Sequence, residues 1–459
     1  MTYVKNTRQL LSHGSRGLRE KALTIIEHSL AVASPYQATR NIVTLMGEQL
    51  RVNDLTFDLS HCPRIYILGA GKATFPIAKA LEELLGDRIT AGIVICKYGQ
   101  QGELHRSRMV LASHPIPDEA GVEGARQTLT IARQTRPGDI VLCCYTGGSS
   151  ALLPYPVEEV SLDEKKVLNQ LLLSCGANII EINAVRKHLS RIKGGRLAAA
   201  IHREAHLINL TVSDVIGDPL DYITDPTVAD TSTLDDARAT LSKYDLWSLV
   251  PASVARFLKT AGPGQETPKE KDLVHKTSLS VILVAGDAAC VAAVEKAREL
   301  GFDARILSTM LEGESRDAGI TFAAIAREIV LNQRPLAPPC AIVGGGETTV
   351  KLSKGFGLGG PNQEFALAAA SRIVGLDQVL IAGIDTDGTD GPTDFAGGLV
   401  DGTTLTRAQR AGVDVNTCLE RHNVTQALQN IGDIVETGAT GTNVNDLKIL
   451  LVMPANTYK

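Results

Sequence analysis

Lysine in a glycine turn, hydroxyls beside glycines, a basic helix end and loops of aspartate are parts from which anion binding or phosphoryl transfer can be built. Gly69-Ala70-Gly71-Lys72 follows the apolar run Arg64–Leu68 and precedes a helical pattern. Its glycines, Gly71 among them, let an oxyanion approach backbone N–H groups at a helix start. Lys72 there would contact that anion or stabilise a transferring group; a lysine facing solvent is the plain alternative. A dinucleotide fingerprint would need glycine at Thr74, and a P-loop would need glycine at Tyr66 and a hydroxyl residue at Ala73, so neither standard motif is present. Thr146-Gly147-Gly148-Ser149-Ser150 ends a second apolar run and could cradle phosphate or carboxylate. It is not a nucleophile elbow, because Ala151 and Leu152 stand where the second glycine would be needed.

The segment Asn183–Arg196 carries Arg186, Lys187, His188, Arg191, Lys193 and Arg196. A helix continuing through it would put Arg186 and Lys193 on one face, toward a polyanion. A solvated basic helix is the alternative. Between Leu210 and Thr227 a strand-like run ends at Val212, followed by Ser213, Asp214, Asp218 and Asp225. Carboxylates at a strand end can orient a hydroxyl, accept its proton or hold Mg²⁺ with phosphate oxygens; they can also simply cap turns. Three further loops join the candidates: Gly344–Thr349 with Glu347, Thr348 and Thr349, Lys354–Glu364 with Asn362 and Glu364, and Asp385–Asp394 with Asp385, Asp387 and Asp390. The last is no EF-hand, since Thr389 and Ala396 occupy ligand positions. His114, beside Pro115 at a strand end, is the best-placed histidine, though a lone histidine there reads as structural. No His/Cys cluster has zinc spacing.

The elements that must hold these loops alternate. Residues 16–52 read as helices. Strands are expected at Arg64–Leu68, Ala91–Cys96, Met109–Ser113 and Asp139–Cys144, with helices between, a rhythm that implies a parallel sheet covered by helices. The polar, Gly/Pro-rich stretch 261–277 reads as a linker. A second alternation begins with a strand at Val281–Ala285 and continues through Ala304–Ser308, Cys340–Val343, Leu380–Ile384 and Lys448–Val452. Two α/β domains are expected, over 1–260 and 276–459.

A chain of 459 residues with 44% hydrophobic and 21% charged residues suits a soluble two-domain enzyme. Its formal net charge of −5 argues against a general nucleic-acid binder. Eight scattered cysteines, none in C-x-x-C, suit reduced, buried thiols. The N-terminal 30 residues lack the apolar core of a signal peptide, and no apolar stretch reaches membrane-spanning length, so a cytoplasmic protein without membrane partners is expected.

Taken together, ILGAGKA, HPIPDEAG, TGGSSALLP, NAVRKHLSRIKGGRLA, SDVIGDP, GGGETTV, GGPNQE, TDGTDGPTD and TGATGTNVNDL resemble the class II glycerate kinases, whose C-terminal part is called the MOFRL domain. The stretches run in the family's order from about residue 64 to 453. The resemblance implies a Rossmann-like N-terminal domain with a parallel sheet, a smaller C-terminal α/β domain, and an active site in the cleft between them. It implies ATP- and Mg²⁺-dependent phosphorylation of D-glycerate at its 2-hydroxyl, and leaves room for a homodimer. Lys72 and Asp214 match the positions expected to act in catalysis. Gly71, Gly147, Gly148, Ser149, Ser150, Arg186, Lys193, Glu347, Thr348 and Thr349 would then hold nucleotide or phosphate. Asp225, Asn362, Glu364 and Asp385 would bind substrate, and Asp218, Asp387 and Asp390 the metal. Members are often labelled hydroxypyruvate reductases, but the missing fingerprint at 69–74 argues against a nicotinamide cofactor. Three positions depart from the family: Asp225 replaces the glycine of SGPT, Pro361 the arginine of GGRNQE, and Asp385 a glycine. If all three line the site, it is more acidic than usual. That leaves open a neutral or larger polyhydroxy acceptor, such as a ketose or sugar-acid derivative, with the same phosphoryl transfer.

Overall fold

The computed structural model describes residues 2–455 except 62, 214–219, 221–224 and 353–354. The chain divides into two compact units: Pro35–Ser213 with the described residues from Leu220 to Leu283, and the first 34 residues with Val284 onward.

The first unit starts with the helix Pro35–Ile42 and an antiparallel meander, β1 (Val43–Met46), β2 (Gln49–Val52) and β3 (Leu55–Asp58). The expectation of helix up to 52 therefore fails beyond Ile42. Short alternating segments such as Gln49-Leu50-Arg51-Val52 bury every second residue, the strand period. The main sheet holds β4 (Ile65–Ala70), β5 (Ile89–Lys97), β6 (Ser107–Ala112), β7 (Ile140–Tyr145), β8 (His206–Val212) and β9 (Thr277–Val284), in the order β6-β5-β4-β7-β8-β9. β4 and β7 are buried at every position, as central strands of a parallel sheet must be. The pairs β4/β5, β5/β6, β4/β7 and β7/β8 are parallel. His206 Nδ1 meets Thr277 Oγ1 at 2.9 Å and Asn209 Nδ2 donates to Ser280 Oγ at 2.9 Å. The unchanged offset makes β8 and β9 parallel too. This is the doubly wound order, and its direction reverses between β4 and β7.

β9 was expected to open the second domain; it closes the first sheet instead. Nor is 261–277 a loose linker. The Glu266 carboxylate meets His188 Nε2 at 2.6 Å and accepts the N–H groups of Leu234 and Thr267, so the stretch is pinned to the first unit.

The second unit is built on β10 (Asp303–Leu311), β11 (Cys340–Gly346), β12 (Val379–Asp385), β13 (Gly397–Asp401), β14 (Ile434–Val435) and β15 (Asp446–Val452), in the order β10-β11-β15-β12-β13-β14. β10/β11 is parallel; the other pairs are antiparallel. Alternate residues feed two cores. Ile342, Ile381 and Leu450 join Phe322 and Phe365 from the helices Ser315–Asn332 and Pro361–Ala370. Val343, Ala382 and Leu451 join Leu18, Ile25 and Ala293 from the helices Arg16–Val32 and Ala288–Glu299. The N-terminal helix, assigned by the sequence reading to the first domain, thus forms part of the second. Fully buried Arg19 anchors it through Asp401 at 2.6 Å and Asp433 at 2.8 Å. All seven described cysteines are free, and five are buried. No helix among the described residues is long and apolar enough to cross a membrane.

Candidate active site

In the first unit the candidate loops gather at the carboxyl ends of the parallel strands, around the point where the strand order reverses. The turn after β4 and the turn after β7 are laced together. Thr146 N–H donates to Ala70 O at 3.1 Å, Lys72 N–H to Gly147 O at 2.8 Å, and Ala73 N–H to Thr146 Oγ1 at 3.1 Å. Only glycine fits at 71, where φ is +143° and a Cβ would stand 2.1 Å from Thr146 Oγ1. Gly148 has φ +84°, and a Cβ there would meet Lys72 Cγ at 3.2 Å and His114 Nε2 at 3.3 Å. The lysine stem and the imidazole therefore flank the bare backbone of Gly148. His114, read from sequence as structural, joins this group; its place just after β6 was the available signal.

Beyond Gly148, Ser149 is buried and Ser150 exposed. Ser149 O lies 3.4 Å from Lys193 Nζ, which couples the hydroxyl loop to the basic segment. The expected continuous helix through Lys193 does not form. The helix Ile179–His188 stops, and Ser190 Oγ accepts the N–H groups of Ile192 and Lys193 in a turn. Lys193 still faces Arg186 through space, and burial pulls its pKa down while Asp225 opposes the fall. Asp225 Oδ2 is 3.5 Å from Lys193 Nζ, and Asp225 Oδ1 accepts the Gly194 N–H at 2.5 Å. Asp225 is thus the counter-ion of Lys193. Arg186 Nε donates to Asn169 Oδ1 at 3.0 Å, and Lys187 pairs with Asp230 at 3.2 Å. Sequence reading missed Lys165, 3% exposed on the helix Leu162–Ser174. Its signal was a lysine at core spacing from Leu162, Leu168 and Leu172. Asp214 and Asp218 lie outside the described residues.

The remaining candidates belong to the second unit. Thr348 is buried just past β11. Its N–H donates to Asp446 Oδ2 at 3.2 Å, and its hydroxyl accepts from Ser315 Oγ at 2.7 Å. Asn362 Nδ2 donates to Asp446 Oδ1 at 2.6 Å and to Asp390 Oδ1 at 3.1 Å. Asp446, itself paired with fully buried Lys448 at 2.6 Å, holds Thr348 and Asn362 together. Sequence reading passed over this pair; an acid and a lysine two apart in an apolar strand were its mark. Glu347 and Thr349 are exposed beside Thr348. Glu364 points elsewhere, to Arg316 at 2.9 Å and His422 Nδ1 at 3.0 Å, because two helical positions from Asn362 is the far side of the helix. Pro361 is the first residue of that helix, where a missing N–H costs nothing.

Asp385 ends β12 and accepts the Asp387 N–H at 3.0 Å; Asp387 in turn accepts the Thr389 N–H at 2.7 Å. Asp390 takes the N–H groups of Asn362 and Gln363, both at 2.9 Å, at the start of their helix. Burial pushes the Asp390 carboxyl up to about 7. These partners suit turn and helix caps, and among the described residues no group of three His, Cys, Asp or Glu could hold a metal ion.

A doubly wound sheet with a lysine and two glycine turns at its reversal point, in a chain with a second α/β unit, suits an enzyme of anionic small molecules. Two family profiles match: "Domain of unknown function (DUF4147)" over residues 21–259 and "MOFRL family" over 340–446. A glycerate 2-kinase of Pyrococcus horikoshii is 42% identical over 440 residues, covering 95% of this chain and 97% of that protein. The crystal structure of a Thermotoga maritima glycerate kinase superposes with a TM-score of 0.81 at 37% identity, covering 95% of this chain and 100% of that one. An Agrobacterium vitis relative named for hydroxypyruvate reduction is 39% identical over 392 residues, covering 85% of this chain and 99% of that protein. The chain belongs to the glycerate 2-kinase family with a C-terminal MOFRL domain.

Proposed function

We propose that this protein transfers the γ-phosphoryl group of ATP to a hydroxyl of a small polyhydroxy acid, with D-glycerate and its 2-hydroxyl as the first choice. The carrying observation is Lys72, set beside Gly148 at the reversal point and linked through Ser149 to Lys193. Phosphoryl transfer asks little covalent chemistry of a protein; positioning and charge stabilisation suffice. In this reading the acceptor oxygen bonds to the γ-phosphorus as the bond to the β,γ-bridging oxygen breaks, and ADP leaves. Asp214 orients the hydroxyl and takes its proton. Lys72 offsets the charge that develops on the transferring group, and the backbone around Gly147 and Gly148 carries phosphate oxygens. When bound, Mg²⁺ would neutralise charge on the nucleotide phosphates, with a carboxylate or two from the protein helping to hold it.

A second reading keeps this chemistry and changes the acceptor. It rests on Asp225, which engages Lys193, and on Pro361, which brings no cation. A site with fewer available cations discriminates less in favour of a carboxylate. Coupled ADP-release assays with glycerate, tetronates, ketoses and polyols decide between the two. Glycerate turnover equal to or above every alternative removes the second reading. NADPH oxidation with hydroxypyruvate, without ATP-dependent turnover, overturns both.

A further inference from the structure

Lys165 is 3% exposed, and no described residue gives its ammonium a hydrogen bond or an ion pair. The charges that act on it are Lys193 and Arg186, which repel it, and Asp225, which attracts it. Asp225 is already engaged by Lys193 at 3.5 Å and by the Gly194 N–H. Arg186 donates to a neutral amide, Asn169, and Lys187 stays tied to Asp230. Among the described residues, the three cations around Lys165 thus share one carboxylate, Asp225. A buried, unpaired ammonium destabilises a fold unless something compensates it. A ligand oxyanion would supply that compensation, and the Lys193 contact to Ser149 O places this cluster next to the hydroxyl loop.

We infer that Lys165, Arg186 and Lys193 form one built-in oxyanion site, with Lys165 reserved for the ligand. The inference takes from the proposed function only that the ligand is anionic. Its shared chemistry is a group with two or more charged oxygens, supplied either by the carboxylate of the acceptor acid or by a phosphate of the nucleotide. Burial and the two neighbouring cations also pull the Lys165 pKa down to about 7. A bound oxyanion favours the protonated form. Affinity for the ligand should therefore fall as pH rises above about 7, because binding then has to recruit a proton.

The test is calorimetric titration of the full chain with D-glycerate, with a non-hydrolysable ATP analogue and with inorganic phosphate, for the wild type, K165M and K165R. K165M should weaken at least one ligand by about 10- to 100-fold, the usual effect of one charged hydrogen bond. Loss with glycerate assigns the carboxylate; loss with the analogue or phosphate assigns the phosphate. K165R should retain binding and abolish the decline above pH 7, which a merely structural lysine would not do. Should K165M fail to fold, the pH dependence of K165R alone decides. Unchanged affinities for all three ligands in folded K165M overturn the site, as does a K165R profile that declines like the wild type. Absence of ADP release with every acceptor would sink the kinase reading while leaving the phosphate titration to judge the site.

Discussion

Replacing Gly148 by alanine separates the cost of a strained backbone from the cost of disturbing Lys72. Gly148 sits at φ +84°, so an alanine there carries a left-handed penalty of about 1 kcal/mol. In a unit of this size that lowers Tm by about 2–4 °C, and the fold survives. The added Cβ meets Lys72 Cγ at 3.2 Å and His114 Nε2 at 3.3 Å. Ordinary carbon contacts lie at roughly 3.5–4.0 Å, so both side chains must retreat by a few tenths of an ångström. A misplacement of about 1 Å can cost about 100-fold in rate; a few tenths, shared by two groups, should lower kcat about tenfold. Gly176→Ala is the matched control. Gly176 has the same φ of +84°, with nothing within 4 Å of its would-be Cβ. Both variants should lose similar Tm in a thermal melt, and only G148A should lose kcat in the ADP-release assay. G148A turnover within about twofold of wild type would refute the placement of Lys72 at the reacting group, given the rate sensitivity assumed. Equal rate losses in both variants would show that the effect is global strain.

Lys72→Met should lower kcat by about 100-fold or more with its Tm unchanged, the scale seen when one charge-stabilising donor is removed. Lys165 gives a pH signature of stability, followed by chemical denaturation of the wild type and K165M. Burial and the neighbouring cations hold its folded pKa at about 7, below the ordinary lysine value of 10.5, so the unfolded state binds more protons between the two, and stability rises with pH across that window. The full penalty, several kcal/mol, applies below pH 7. K165M should therefore be the more stable protein at pH 6.5, with the advantage shrinking toward pH 10; a constant difference would contradict this. Arg19→Met removes the close cation of buried Asp401, while Asp433 keeps Arg407 at 2.7 Å, and should cost about 3 kcal/mol, read in the unfolding of the MOFRL-containing unit.

The alternation of apolar runs made the central sheet legible, since a strand such as Ile140–Tyr145 is buried at every position and flanked by glycine turns. The unit boundaries were not legible, because they depend on long-range partners. The helix Arg16–Val32 looks like any amphipathic N-terminal helix until Asp401 and Asp433, hundreds of residues away, accept its arginine. β9 looks like the first strand of a new alternation until β8 proves to be its neighbour. Glu364 looked equivalent to Asn362 in a loop motif, yet helix geometry turns it to Arg316 and His422.

Site residues were legible where chemistry and backbone demand coincide. A lysine after two glycines at a strand end serves both, and Gly71 and Gly148 are at their positions because side chains would collide. Lys165 was hidden by the opposite situation. Its helix buries an apolar stripe through Leu162, Leu168 and Leu172, and a lysine on that stripe reads as a minor flaw in amphipathicity. Only the third dimension shows that its neighbours are Arg186 and Lys193, from a helix and a turn later in the chain, and that Asp225, the acid near it among the described residues, is already engaged. The same pairing changes the meaning of Asp225. As a sequence feature it added a negative charge to the candidate site; in the structure it cancels a positive one. A glycine at that position would leave Lys193 without this counter-ion, so Asp225→Gly should tighten binding of an anionic acceptor and loosen the turn at Gly194, whose N–H would lose its carboxylate partner. Glycerate KM measured for D225G decides the matter: a lower value supports Asp225 as an electrostatic brake on anion binding, and a higher one shows that its hold on the Lys193 turn matters more.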